Sequence, residues 1–75
     1  MQEKAPAPLV ILRRSQVEAR TGLACSTIYR RISEGTFPAP IDLGGGRSVG
    51  WLEHEIDDFI ASRVAASRNT AQGAI

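Results

Sequence analysis

The sequence has few of the residues on which enzymes, metal sites and membrane proteins depend. Its 75 residues include one Cys, one His, one Tyr, one Trp and two Phe. A single Cys excludes an internal disulfide and argues against a Cys-rich zinc site. A lone His, with no phosphate-binding Gly-Lys motif, does not supply the nucleophile, base and orienting group of a catalytic centre. The longest apolar run has four residues, whereas a membrane span needs about 20. We therefore expect a non-enzymatic, cytoplasmic chain with no membrane contact, metal or cofactor.

The small net charge conceals two segments of opposite sign. Nine basic and eight acidic residues leave a formal charge of +1. Residues 13–31 hold five Arg against one Glu, a net charge of +4, and residues 53–60 hold four acidic residues and no base. Arg carries a planar guanidinium that suits phosphate oxygens and guanine edges. The distribution favours a nucleic-acid partner for the basic segment. The acidic segment is expected either to face solvent away from the phosphates or to contact a basic partner protein.

Capping signals predict two short helices joined by a tight turn. Ser15 and Glu18 match the S-x-x-E capping box, so we expect a helix to begin at the residue after Ser15. Gly22 offers the left-handed conformation that ends helices. A second helix fits residues 25–34 and ends before Gly35. Two helices in this arrangement form a helix-turn-helix candidate.

The second predicted helix has one apolar face and one polar face. At about 100° per residue, Ser26, Thr27 and Arg30 lie opposite the apolar stripe. Arg30 is the best placed to contact a guanine with both arms of its guanidinium, a contact worth about 1–3 kcal/mol of discrimination. Tyr29 and Arg31 lie on the two flanks. We expect the Tyr29 ring to pack partly against the core and both flanking side chains to reach phosphates.

The second half of the chain predicts a β-hairpin with a glycine-rich tip. Residues 41–43 and 49–51 read as short strands around the segment Gly-Gly-Gly-Arg-Ser at 44–48. The glycines let the backbone approach another surface closely. Arg47 and Ser48 are therefore expected to contact the DNA backbone or the minor groove.

Composition divides the chain into a central domain and two tails. Residues 1–8 and 67–75 have little to bury, so we expect flexible tails there and one domain over residues 9–66. The last helix is expected to begin at residue 52 or 53 and to run to about Ala66.

Several sequence blocks occur in an order that is more specific than a bare helix-turn-helix pattern. They are Thr21-Gly22-Leu23, Ser26-Thr-Ile-Tyr-Arg30, Phe37-Pro38-x-Pro40, Gly46-Arg47, Val49-x-Trp51 and Glu55-Ile56. In this combination the chain resembles the AlpA family of small prophage-type regulators, which is related to excisionases and to MerR-type regulators. The resemblance implies a mainly α fold with a small β-hairpin, a winged helix-turn-helix that binds DNA. The pair Ala24-Cys25 departs from the family pattern, because Ala24 cannot cap the second helix with a side chain.

These features together predict a sequence-specific transcriptional regulator that binds double-stranded DNA and is associated with the nucleoid. Helix 25–34 is expected in the major groove and segment 44–48 on the backbone or minor groove. A surface this small reads few base pairs, so we expect two or more copies on repeated sites. An excisionase-like recombination directionality factor and a protein-interaction adaptor that uses the acidic last helix are the alternatives. The expected DNA-contacting residues are Arg13, Arg14, Ser26, Thr27, Tyr29, Arg30, Arg31, Arg47 and Ser48.

Overall fold

The chain folds into three helices and a small antiparallel sheet. The computed structural model describes residues 9–74, with side chains as far as residue 69, so the expected tail at 1–8 lies outside the described residues. In chain order the elements are β1 (Ile11–Leu12), α1 (Arg14–Thr21), α2 (Cys25–Glu34), β2 (Ile41–Asp42), β3 (Val49–Leu52) and α3 (Glu53–Ala74). This mainly helical architecture with a three-stranded sheet is consistent with a small DNA-binding domain.

The predicted capping box at the start of α1 is wrong. The helix begins at Arg14, so Ser15 lies within its first turn. The side-chain oxygen of Gln16 accepts a hydrogen bond from the Arg13 N–H at 2.8 Å, and Glu18 forms an ion pair with Arg14 at 3.3 Å. In a capping box the side chain of the fourth residue accepts the N–H of the first. Gln16 does this for Arg13, so the contact lies two residues earlier than the predicted pair Ser15 and Glu18.

The turn between α1 and α2 is closed by Gly22, as predicted. Gly22 adopts a left-handed conformation with φ of 75°, and its N–H donates to the Glu18 carbonyl at 2.8 Å. The Thr21 hydroxyl donates to the Val17 carbonyl at 2.8 Å and accepts the Leu23 N–H at 3.2 Å. The Thr21 side chain thus fixes the path of the chain from one helix into the next.

The bounds predicted for α2 are confirmed. The helix covers residues 25–34, and Ala24 stands at its N-terminal cap without a side-chain hydrogen bond. At the other end, Gly35 has φ of 80°, and the Thr36 N–H donates to the Arg31 carbonyl at 2.9 Å. This pattern satisfies carbonyls that the end of a helix otherwise leaves without partners.

The sheet contains one strand more than the sequence predicted. The hairpin of β2 and β3 is confirmed, and β1 pairs antiparallel with the other edge of β3, which gives the order β1-β3-β2. Gly50 in β3 is buried under this pairing. A Cβ at Gly50 would collide with the Ile11 side chain and would lie 3.1 Å from the Leu12 carbonyl oxygen. The absence of a side chain at Gly50 therefore allows β1 to lie where it does.

Trp51 belongs to a core to which all three helices and strands β1 and β3 contribute. Its ring is fully buried, and its Nε1–H donates to the Pro38 carbonyl at 3.0 Å. In the same core the Phe37 and Phe59 rings pack against each other with centroids 4.6 Å apart. The buried apolar residues are Leu12, Val17, Ile28, Phe37, Trp51 and Ile56. One continuous core therefore holds α2 and the hairpin in a fixed relation.

The last helix, α3, is longer than predicted. It begins at Glu53 as expected but continues to Ala74, so residues 67–74 are helical where we expected a loose tail. Residues 53–74 contain no Pro, and their first Gly is Gly73. No strong helix-breaking residue therefore stops the helix where its packing on the core ends. No helix within residues 9–74 is long and apolar enough to cross a membrane.

Candidate nucleic-acid interface

The outer face of α2 carries the polar side chains that the sequence placed there. Ile28 is fully buried and anchors the inner face. On the other side Ser26 and Arg30 are exposed and Thr27 is half-buried. A helix about 10–12 Å in diameter with this arrangement matches a major groove that is about 12 Å wide.

Arg30 shares this outer face with an acidic side chain that sequence reasoning overlooked. Its Nε lies 3.8 Å from a carboxylate oxygen of Glu34, and the two side chains are 62% and 53% exposed. Exposed pairs of this spacing are worth about 0.3–0.5 kcal/mol. A bidentate contact with guanine is worth about 1–3 kcal/mol. Such a contact would therefore outweigh the ion pair with Glu34 and release the guanidinium from it.

Tyr29 connects α2 to the hairpin. Its ring stands edge-on to Trp51, with centroids 6.4 Å apart and an interplanar angle of 63°. The residue remains 40% exposed, so the predicted partial packing of the ring is confirmed. The contact of its hydroxyl with a phosphate stays a prediction.

Arg31 does not share the outer face with Arg30. It is half-buried and lies in a groove beside α3, together with Arg63 and Arg68. Its Nε–H is buried and finds no hydrogen-bond partner among the described residues. The flank position was predicted correctly, but the packing of α3 beside α2 makes this side chain part of the lining of a groove.

The hairpin tip is a run of glycines with left-handed backbone. Residues 44–46 have φ values of 89°, 74° and 97°, a conformation that side-chain-bearing residues adopt at a cost. The Gly44 N–H donates to the Asp42 carboxylate at 2.8 Å, and the Leu43 N–H donates to the Ser48 carbonyl at 2.8 Å. These bonds shape the loop and leave Arg47 exposed at its tip, with Ser48 half-buried.

Two more predicted residues lie at the start of α1. Arg13 and Arg14 are both exposed. Arg14 is paired with Glu18, whereas Arg13 forms no ion pair with any residue in the described part of the chain. Both guanidiniums are therefore available to phosphates, and Arg13 gives up no ion pair to reach one.

The acidic segment is partly neutralised inside the fold. Arg20 of α1 lies 2.8 Å from Glu53 and 3.4 Å from Asp57. The two carboxylates lie four residues apart on one face of α3, a spacing that signals a shared partner. Two of the four acidic residues thus link α3 to α1. The other two, Glu55 and Asp58, form no ion pair with a described residue.

Comparison with known proteins places these features in a family. The family model described as "Prophage CP4-57 regulatory protein (AlpA)" matches residues 10–64, from β1 into the middle of α3. The chain belongs to the AlpA family. AlpA-type regulators bind DNA and are not enzymes, and the resemblance read from the sequence blocks is confirmed.

Two relatives carry the comparison within the AlpA family. The chain is 40% identical over 57 residues to the uncharacterized protein ORF88 of Enterobacteria phage P4, covering 76% of this chain and 64% of that protein. It is 41% identical over 59 residues to the DNA-binding transcriptional activator AlpA of Escherichia coli K12, covering 71% of this chain and 83% of that one. The chain thus spans just under two thirds of the phage relative. No solved structure shows a significant match.

Proposed function

We propose that this AlpA-family chain is a sequence-specific transcriptional regulator built as a winged helix-turn-helix. In this proposal α2 enters the major groove, and the glycine-rich loop 44–48 is the wing. The observation that carries it is the outer face of α2, where Ser26 and Arg30 are exposed opposite the fully buried Ile28. The E. coli relative, a DNA-binding transcriptional activator, supports the same function.

In this proposal the outer face of α2 recognises the base sequence. Arg30 lies in the middle of a 10-residue helix, from which it can donate two hydrogen bonds to one guanine. Ser26 and Thr27 lie in the first turn, where short hydroxyl side chains can contact a base edge or a phosphate. Because Ala24 leaves the first N–H groups of α2 without a side-chain cap, those groups are also available to a phosphate.

Positioning is assigned to arginines that surround this face. Arg13 and Arg14 precede and begin α1, and Arg47 lies at the wing tip. Arg31 lies in the groove beside α3 and is not counted among these contacts. Phosphate contacts of this kind fix the register of a protein on DNA without reading its sequence. Three such contacts correspond to a slope of about −3 in log K against log salt.

The surface of one copy limits what it can read. A single short helix contacts few base pairs, so two or more copies on repeated sites are part of the proposal. An excisionase-like factor would use the same contacts, and the E. coli relative named as a transcriptional activator favours regulation. An adaptor that acts through the acidic helix is less well supported, because Glu53 and Asp57 are paired with Arg20.

Selection of bound duplexes from a random pool tests this proposal. We expect one preferred sequence to be enriched, and its affinity to fall with a slope near −3 between about 50 mM and 200 mM salt. The stoichiometry on the enriched duplex reports how many copies bind. A chain that enriches no sequence and shows no affinity for duplex DNA above background would support the adaptor instead.

A further inference from the structure

A groove between α3 and the turn that joins α1 to α2 has only basic residues among its charged lining. It measures about 470 Å³ and is lined by four Arg around an apolar floor that includes Ile60 and Val64. Arg20 is paired with Glu53 and Asp57, but Arg31, Arg63 and Arg68 form no ion pair within residues 9–69. We call these three arginines with their apolar floor the basic groove.

The basic groove is suited to a protein surface that brings carboxylates and apolar atoms together. Arg31 holds a half-buried guanidinium there, and its Nε–H has no partner in the described structure. Val64 is 42% exposed beside it. A phosphate backbone would satisfy the arginines and leave the apolar floor uncovered, whereas an acidic protein face satisfies both.

The opposite side of α3 carries a complementary acidic face. Glu55 and Asp58 line a shallow depression there together with Pro38 and Ser62. A helix turns by about 100° per residue. The mean angular position of these two acids around the α3 axis therefore lies about 180° from the mean position of the groove residues Ile60, Arg63, Val64 and Arg68. The other described carboxylates have an ion-pair or hydrogen-bond partner: Glu18, Glu34, Asp42, Glu53 and Asp57. Among residues 9–69, only Glu55 and Asp58 are acids without one, and we call them the acidic face.

We propose that the basic groove of one copy of this chain binds the acidic face of a second copy. The two surfaces differ in their residues and charge, and only Phe59 lines both depressions, so the contact is head-to-tail. A head-to-tail contact either closes into a ring or adds copies in one direction. Alignment of such copies on directly repeated DNA sites rests on the proposed function, but the contact itself does not require DNA.

Sedimentation velocity without DNA tests the contact. Over chain concentrations from about 1 μM to about 1 mM, we expect the average mass to rise beyond that of a dimer. Raising the salt from about 0.1 M to 1 M shortens the screening length from about 10 Å to 3 Å, so association should weaken at least about tenfold.

Charge reversal identifies the surfaces. Arg63→Glu and Asp58→Arg change exposed positions on opposite sides of α3, and each variant alone should associate at least about tenfold more weakly than the wild type. An equal mixture should regain association, because each variant keeps the surface that the other has lost. Arg47→Glu makes the same charge change at the distant hairpin tip and should associate like the wild type. Circular dichroism checks that every variant keeps its helix content.

Three results would overturn the contact: a wild type that stays monomeric throughout, single variants that associate normally, or a mixture that regains nothing. A monomeric wild type that binds a separate acidic peptide through Arg63 assigns the groove to another protein. If the Arg63→Glu variant loses affinity for a duplex with a single site, the basic groove binds DNA instead. A monomeric chain that still selects a DNA sequence refutes only this inference, and an associating chain that selects none refutes only the proposed function.

Discussion

Replacing Gly50 with Ala tests the strand that the sequence did not predict. The new Cβ would collide with Cγ2 of Ile11 and would lie 3.1 Å from the Leu12 carbonyl oxygen and 3.4 Å from Cδ1 of Leu43. The Ile11 methyl is attached at Cβ and the carbonyl belongs to the β1 backbone, so neither moves away without shifting the strand. Overpacking of this kind costs about 1–3 kcal/mol.

The net effect is smaller than the steric cost alone. Ala reduces the conformational entropy of the unfolded chain, which offsets about 0.4–1 kcal/mol. We therefore expect Gly50→Ala to lower the free energy of unfolding by about 1–2 kcal/mol. A domain of this size rarely has more than about 3–5 kcal/mol of stability, and small domains lose about 1 kcal/mol per molar urea. The urea midpoint should fall by about 1–2 M.

Urea titrations followed by Trp51 fluorescence and by circular dichroism provide the assay. Ile11→Ala removes the methyl that the new Cβ would meet, so in that background Gly50→Ala should cost at least about 0.5 kcal/mol less. If Gly50→Ala leaves the midpoint unchanged, or costs as much in the Ile11→Ala background, then β1 does not lie against Gly50 in the folded protein.

Two further predictions concern the proposed DNA surface. Arg47→Ala should weaken binding to all sequences by a similar factor and reduce the salt slope by about 1, because its guanidinium lies at the exposed hairpin tip; a change in the preferred sequence at constant affinity would contradict the wing. Glu34→Gln should tighten binding to most duplexes by a few-fold, since it removes a negative charge beside Arg30 and frees that guanidinium from a pair worth about 0.3–0.5 kcal/mol. Weaker binding of Glu34→Gln to one sequence only would instead show that Glu34 itself contacts a base.

The sequence predicted an element correctly where one local signal stood alone, without a second signal that favoured another boundary. The limits of α2 follow from Gly35 and from the apolar stripe through Ile28, and the hairpin follows from the glycines between two apolar pairs. The start of α1 was misjudged because Ser15 and Gln16 offer overlapping capping signals, and the hydrogen bond to Arg13 settles them in favour of Gln16. The strand Ile11–Leu12 has two residues, too few for an alternating pattern to show.

The candidate site was predictable in its local part only. Periodicity places Ser26 and Arg30 opposite the core stripe, because that arrangement depends on one helix. The pairing of Arg20 with Glu53 and the position of Arg31 in the basic groove depend on how α3 packs, 33 residues further along the chain in the first case. Long-range packing of this kind leaves no periodic signal in the sequence. The opposite charges of segments 13–31 and 53–60 were compatible with ion pairs between them, but they did not indicate which residues would pair.

The base preference of Arg30 variants on the selected site shows whether α2 reads the major groove through Arg30. Affinities of the wild type, Arg30→Ala and Arg30→Lys are measured on every single-base variant of that duplex. We expect the wild type to prefer guanine at one position by about 5- to 150-fold, which corresponds to 1–3 kcal/mol. Arg30→Ala should lose that preference alone, and Arg30→Lys, which keeps the charge without the planar fork, should lose most of it while binding other sequences nearly as well. If Arg30→Ala keeps the full wild-type profile, then α2 does not read the major groove through Arg30.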